Sequence, residues 1–293
     1  MTDAVTPGSR HPTEPLIRDI SDTARWVATY RARETERPNA LFRDPFAKRL
    51  AGERGEQITA AMPNVSGTDW PFVIRTYLFD RYIAAAVERG VDTVLNLAAG
   101  LDARPYRMAL PASLTWIEVD LPELLAYKSE VLANDRPVCA LERVPLDLSN
   151  VADRRALFAR AASRAKTALI LSEGLLIYLS PDQVSGLAGD LAAHRSFDRW
   201  IVDLASPGLL RMLQKRMGAM VSEAGAPYRF APPEGPSFFE RYGWTPIEVQ
   251  SMFETAARTK RLPLLMRVMS ILPQPKGPRR IWSGVCLLQR SAS

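Results

Sequence analysis

The segment Asn96-Leu97-Ala98-Ala99-Gly100-Leu101-Asp102-Ala103-Arg104 runs from apolar to small residues and then to charge. That is the pattern of a buried parallel strand opening into a loop where backbone comes close to a ligand. About twenty residues on, the run Trp116-Ile117-Glu118-Val119-Asp120 ends in an acid. In a doubly wound sheet such an acid emerges beside the first loop and can accept hydrogen bonds from a ribose. Asp147 closes a third run and Glu173 follows a fourth. Together these residues point to a nucleoside-containing cofactor. Asp120 also suits an N-cap for the segment after Pro122, and Glu173 suits a structural acid held by backbone donors.

Positioning these groups requires alternating strands and helices. Strands are expected at residues 91–97, 115–120, 138–144, 167–172, 200–204 and 280–290. Helices are expected at residues 104–110, 122–134, 151–162, 181–194 and 209–224, with Ser180 as an N-cap followed by Pro181. Ahead of the first strand, residues 21–33 and 70–90 read as helices, with a short helix opening at Asp44-Pro45 and a loop over residues 52–68. The region 244–250 is ambiguous: Thr245-Pro246 with Glu248 resembles a capped helix start, while its apolar residues suit a strand. The expected organisation is a tail at residues 1–15, a helical extension at 16–90, a sheet core at 91–205, a cap at 206–265 and a last strand region at 266–293. The tail, polar and rich in Pro and Thr, is expected to be disordered.

The loop also discriminates among cofactors. A dinucleotide fingerprint uses three glycines to admit a pyrophosphate, whereas here Gly100 stands alone and Asp102 puts an acid where phosphates would lie. A cationic, phosphate-free nucleoside fits better, and S-adenosyl-L-methionine is the evident candidate. Its adenosine asks for the acid Asp120 and for a polar group such as Asp147, and its carboxylate asks for a cation, which arginine's planar fork suits.

The four motifs, Asn96 to Arg104, Glu118-Val119-Asp120-Leu121-Pro122 with Lys128, Asp147-Leu148, and Ser172-Glu173-Gly174-Leu175-Leu176-Ile177-Tyr178-Leu179, resemble the leucine carboxyl methyltransferase family and its bacterial S-adenosylmethionine-dependent branch. The likeness covers roughly residues 20 to 205. It implies an α/β class I methyltransferase fold, a Rossmann-like doubly wound sheet with an antiparallel last strand. It also implies cofactor roles for Arg25, Arg75, Gly100, Asp120, Asp147, Leu148 and Glu173, with both arginines at the methionine carboxylate. One departure is Ala98, where the family usually has glycine; the added methyl would crowd the methionine end.

The 293 residues carry a net charge of +6, but their arginines form no basic run, so no nucleic-acid footprint is visible. No uncharged apolar run approaches the ~20 residues of a membrane span. Cys139 and Cys286 match no metal-ligand spacing, and only His11 and His194 are present, which argues against a metal site or a Ser-His-Asp triad. The expected protein is a cytoplasmic enzyme with a small-molecule methyl acceptor, its oligomeric state not legible. No motif supplies an evident base, so an acceptor ionised at neutral pH, such as a carboxylate, is favoured over a hydroxyl. Tyr178, Tyr106 or a lysine would be needed for a phenol. The alternative from another class is a non-catalytic protein that senses the same cofactor or binds a partner.

Overall fold

The computed structural model describes residues 20–61, 69–223, 225–269 and 281–291; the tail expected at residues 1–15 lies outside them. Three helices come first, α1 (Ile20–Thr35), α2 (Ala47–Ala61) and α3 (Trp70–Glu88). The sheet follows with β1 (Thr93–Leu97), β2 (Thr115–Asp120), β3 (Ala140–Pro145), β4 (Ala168–Ser172), β5 (Phe197–Ala205), β6 (Trp244–Ser251) and β7 (Ser283–Arg290). Its order is β3-β2-β1-β4-β5-β7-β6. The first five strands pair in parallel, and β7 runs antiparallel to both β5 and β6. This is the doubly wound arrangement expected, with the reversed last strand.

Burial explains the strand sequences. Every residue of β1 and β4 is buried, as central parallel strands covered on both faces must be. Alternation along the strands divides the core. Leu95, Leu97, Ile117, Val119 and Trp200 meet Leu157 and Phe158 of α6 (Val151–Arg164) and Val184 and Leu187 of α7 (Pro181–Ala192). Val94, Trp116, Leu169 and Ile201 face Ile74, Leu78 and Phe79 of α3. The even positions of β1 and β2 also carry Asn96, Glu118 and Asp120, so polar groups enter the interior on the α3 face. Glu118 is fully buried there between Lys128 Nζ at 2.8 Å and Arg143 Nε at 3.1 Å, a paired arrangement that a buried carboxylate requires.

One segment differs from expectation, and one that is ambiguous in sequence is resolved. Residues 52–61 are helical, not loop: α2 kinks at Gly52 (φ 60°, ψ −174°) and then continues. Gly55, within the stretch expected as loop, lies where α2 crosses α1. A β-carbon there would sit 2.7 Å from Thr29 Oγ1 and 2.9 Å from the Arg25 carbonyl oxygen. It is a close-packing glycine, not a turn glycine. The ambiguous region 244–250 is strand β6. Pro246 is tolerated because β6 is an edge strand, and the register shifts between Pro246 and Glu248. The segment expected as a cap therefore divides. Its first part holds α8 (Pro207–Glu223) and the turn after it, whereas β6 and α9 (Met252–Arg258) belong to the sheet and its backing. Among the described residues, no helix is long and apolar enough to cross a membrane.

Candidate functional site

The carboxyl ends of β1, β2 and β4 open into a cavity of about 670 Å³. This edge is where a doubly wound sheet places its ligands. The first wall is the loop after β1. Asp120, at the tip of β2, accepts the Gly100 N–H at 2.6 Å on one carboxylate oxygen and the Leu121 N–H at 2.7 Å on the other. Each oxygen keeps a further lone pair, and Asp120 lines the cavity. Burial pushes its pKa up, against the pull of those two N–H donors.

From the other side, Arg31 of α1 donates to the Leu101 carbonyl at 2.6 Å and to Asp44 at 2.9 Å. The loop is thus clamped between a strand and the helical extension. Ala98 adopts φ 51°, a left-handed conformation uncommon for a residue with a β-carbon. Three bonds impose it: Ala99 N–H to the Val119 carbonyl at 3.1 Å, Asp102 N–H to the Ala99 carbonyl at 3.1 Å, and the Gly100 bond to Asp120.

Below the loop lies a chain of ion pairs. Asp102 accepts from Asn96 Nδ2 at 2.9 Å and from Arg104 at its backbone N–H and side chain, both at 2.9 Å. Burial alone would raise Asp102, but Arg104, with Lys128 and Arg107 beyond it, outweighs burial and holds the carboxyl down to about 2. Arg104 also pairs with Asp80 at 2.6 Å and with Glu173 at 2.8 Å. The other Glu173 oxygen meets Arg75 Nε at 3.2 Å, and Arg75 reaches Asp203 on β5 at 3.3 Å. Asp203 in turn accepts the Gly174 N–H at 2.6 Å. Asp102, held ionised at neutral pH, joins Asp120 and Glu173 in an acid-lined edge of the cavity, with Arg75 and Arg104 as its cations.

The cavity brings together Arg75, Gly100, Asp120, Asp147, Leu148, Glu173 and Tyr178. Asp147 is exposed at the far end, and its carboxylate accepts the Ser149 N–H at 2.8 Å. Arg25 is placed elsewhere. Its guanidinium stacks 3.7 Å above the Tyr127 ring, and it is not among the cavity-lining residues. Position Arg25 faces α2 and α5 (Pro122–Val131) because the helix turns Thr23, Ala24, Trp26 and Val27 toward the cavity instead. Tyr178 stacks on Tyr228 at 5.6 Å, and burial pushes both phenols above their ordinary range. His194 packs on Phe197 and does not line the cavity.

The sequence reading missed Asp203, Arg104 and Arg31. A lone acid in the apolar run Ile201-Val202-Asp203-Leu204 was the available signal for the first. Arg104 stood inside the quoted motif without a role. Nothing local distinguishes Arg31 from its neighbours on α1, because its partner is 70 residues away in the chain.

Comparison with known proteins agrees with this geometry. The family model for leucine carboxyl methyltransferase matches residues 24–192. A protein of Streptomyces coelicolor named "Putative S-adenosyl-L-methionine-dependent methyltransferase" is 32% identical over 90% of this chain and 94% of its own length. One so named from Parafrankia sp. is 31% identical over 84% of this chain and 82% of the relative. A relative from Mycobacteroides abscessus is 35% identical, and the alignment spans 60% of this chain and 62% of that protein. In fold, the chain is similar to a putative methyltransferase from Thermobifida fusca (TM-score 0.58, 15% identity, 94% and 96% of the two chains). It is also similar to a DUF574 family protein from Streptomyces avermitilis (TM-score 0.57, 13% identity, 92% and 97%). With its sheet order, its acid-lined cavity and these relatives, the chain is an S-adenosyl-L-methionine-dependent methyltransferase and belongs to the leucine carboxyl methyltransferase family.

Proposed function

We propose that the enzyme is an O-methyltransferase whose acceptor oxygen belongs to a carboxylate of a small or medium organic molecule. One observation carries this reading: among the described residues, the Arg75 end of the cavity offers an acceptor no free base. Glu173 and Asp203 are both ion-paired with Arg75. The phenols of Tyr178 and Tyr228 are held protonated by burial, and His194 does not line the cavity. An acceptor that arrives ionised needs no proton removed.

In this reading Asp120 accepts from the ribose hydroxyls with its remaining lone pairs, and Gly100 brings backbone close to the sugar. Asp147 and Leu148 border the adenine. Arg75 and Glu173 hold the amino-acid end, the guanidinium for its carboxylate and the carboxylate for its ammonium. The cofactor supplies a methyl group on cationic sulfur, and its transfer closes one C–O bond as one C–S bond opens, giving ester and thioether with no proton exchanged. The chain's residues act by orientation and by excluding water. Trp26 and Phe72 wall the cavity from the helical extension and Tyr228 from the segment after α8.

The test is incubation with methyl-labelled cofactor and a panel of organic acids and phenols. Label released as methanol by mild alkali marks a methyl ester and is the expected result. Label found only in alkali-stable ethers would overturn the carboxylate assignment.

A further inference from the structure

Four aromatic side chains from four separate elements meet at one end of the cavity: Trp26 of α1, Phe72 of α3, Tyr178 of the turn Leu176–Tyr178, and Tyr228. Trp26 and Phe72 meet edge to face at 5.0 Å, and Tyr30 stacks against Phe72 at 5.1 Å with the planes 9° apart. Arg75 joins the two pairs. Its guanidinium lies 5.7 Å from the Phe72 ring, and its charge acts on both Tyr178 and Tyr228. The rings therefore surround the Arg75–Glu173 end, away from Asp147.

Local hydrogen bonds and packing hold these walls in place. The segment bearing Tyr228 is pinned to the Tyr178 turn by two backbone bonds, Arg229 N–H and Phe230 N–H to the Ile177 carbonyl at 2.7 and 3.1 Å. Ala226 and Phe230, on either side, are buried, and Gln214 donates to the Tyr228 carbonyl at 2.9 Å. Trp26 Nε1 donates to Tyr30 Oη at 3.0 Å, which orients the indole. Rigid rings lose little conformational entropy on binding, and they favour partners that can stack or meet them edge to face. Flexible aliphatic walls would serve an alkyl chain equally well and would not select a flat body.

We propose that the acceptor carries its reacting group on a planar aromatic or conjugated ring system, bound between the Trp26–Phe72 pair and the Tyr178–Tyr228 pair. This rests on the methyltransferase site assigned above and names the class of molecule that the site takes.

Calorimetry on the full chain saturated with S-adenosylhomocysteine tests it, using 2-naphthoate against its saturated counterpart decahydro-2-naphthoate. The two share a skeleton and a charge but differ in flatness. We expect 2-naphthoate to bind about tenfold or more tightly, the scale of one or two aromatic contacts. In Tyr228→Leu the preference is expected to shrink to within about threefold, while affinity for S-adenosylhomocysteine holds. Equal binding of the two acids by the wild-type chain would overturn the proposal. So would a preference that survives both Tyr228→Leu and Phe72→Leu in chains that still bind S-adenosylhomocysteine. If 2-naphthol is bound and methylated while 2-naphthoate is bound without reaction, the aromatic chamber stands and the carboxylate reading falls.

Discussion

Replacing Ala98 by glycine is expected to stabilise the protein, the reverse of what glycine does at most positions. Ala98 is held at φ 51° by three hydrogen bonds of its neighbours. A left-handed conformation costs a residue with a β-carbon roughly 1–2 kcal/mol. Glycine removes that strain but adds freedom to the unfolded chain, worth about 0.5–1 kcal/mol in the other direction. The net expectation is a gain of roughly 0.5–1 kcal/mol, or about 2 °C in Tm for a chain of this size. Because Ala98 lines the cavity, loss of its methyl is also expected to tighten S-adenosylhomocysteine binding a few-fold. Ala99→Gly is the control. Ala99 is buried and is not among the positive-φ residues, so glycine there is expected to cost about 1 kcal/mol. Urea denaturation midpoints of the three proteins decide the matter. If both substitutions destabilise alike, the loop at Ala98 is not strained and the reasoning fails.

Asp120→Asn leaves one oxygen for two backbone donors at 2.6 and 2.7 Å, so one charge-assisted bond is lost, and cofactor Kd is expected to rise roughly 10- to 100-fold. An unchanged Kd by calorimetry would show that the sugar lies elsewhere. In the wild type, burial raises the Asp120 pKa above 3.8 in the folded chain. Its ionised form therefore costs the empty protein stability at neutral pH, a cost relieved as pH falls through the raised value. Cofactor affinity runs the opposite way, failing on acidification earlier than an ordinary aspartate would allow, and Asp120→Asn is expected to flatten that profile. Arg75→Ala removes the counter-ion that Glu173 and Asp203 share. A stability loss of about 2–3 kcal/mol is expected alongside weaker cofactor binding, with Arg75→Lys recovering part of both; loss of affinity at full stability would remove the structural half of this assignment. Arg31→Ala releases the Leu101 carbonyl and leaves fully buried Asp44 with Arg107 at 3.8 Å. It is expected to lower both Tm and cofactor affinity, and a wild-type Kd would show that the loop needs no clamp from α1.

Part of the cavity's lining is legible from residue types because several of these residues close or follow a recognisable apolar run. β2 spans residues 115–120 as read, since an apolar run ending in an acid has few other uses. Asp147 and Glu173 likewise stand just past apolar runs, beyond the ends of β3 and β4. The stretch 52–61 is expected as loop from sequence; a glycine at a helix crossing, such as Gly55, and a glycine in a loop look alike until the neighbouring helix is placed. Pro246 misled for a related reason: it breaks a central strand but not an edge strand, and only the sheet order tells which this is. Arg25 and Arg75 both looked like cations for the cofactor's carboxylate. One points at Tyr127 and the other into the cavity, a difference set by helix rotation that spacing along the chain does not reveal. Asp203 and Arg31 depend on contacts across long stretches of sequence, which leave no local pattern.

One cavity takes its lining from both inside and outside the family model's span. The family model spans residues 24–192, which hold Arg75, Gly100, Asp120, Asp147 and Glu173 as well as the rings of Trp26, Phe72 and Tyr178. Tyr228 lies outside that span, on a segment fastened to the turn at Ile177 by its own backbone bonds. Membership in the family thus accounts for the cofactor and not for the acceptor. The fourth wall of the acceptor chamber comes from residues outside the family model's span. Tyr228 is therefore the side chain whose exchange separates the two questions. If it controls which acid is bound and leaves S-adenosylhomocysteine affinity alone, recognition of the acceptor is written after β5. If its loss weakens both equally, cofactor and acceptor share one wall, and the helical extension must carry the discrimination.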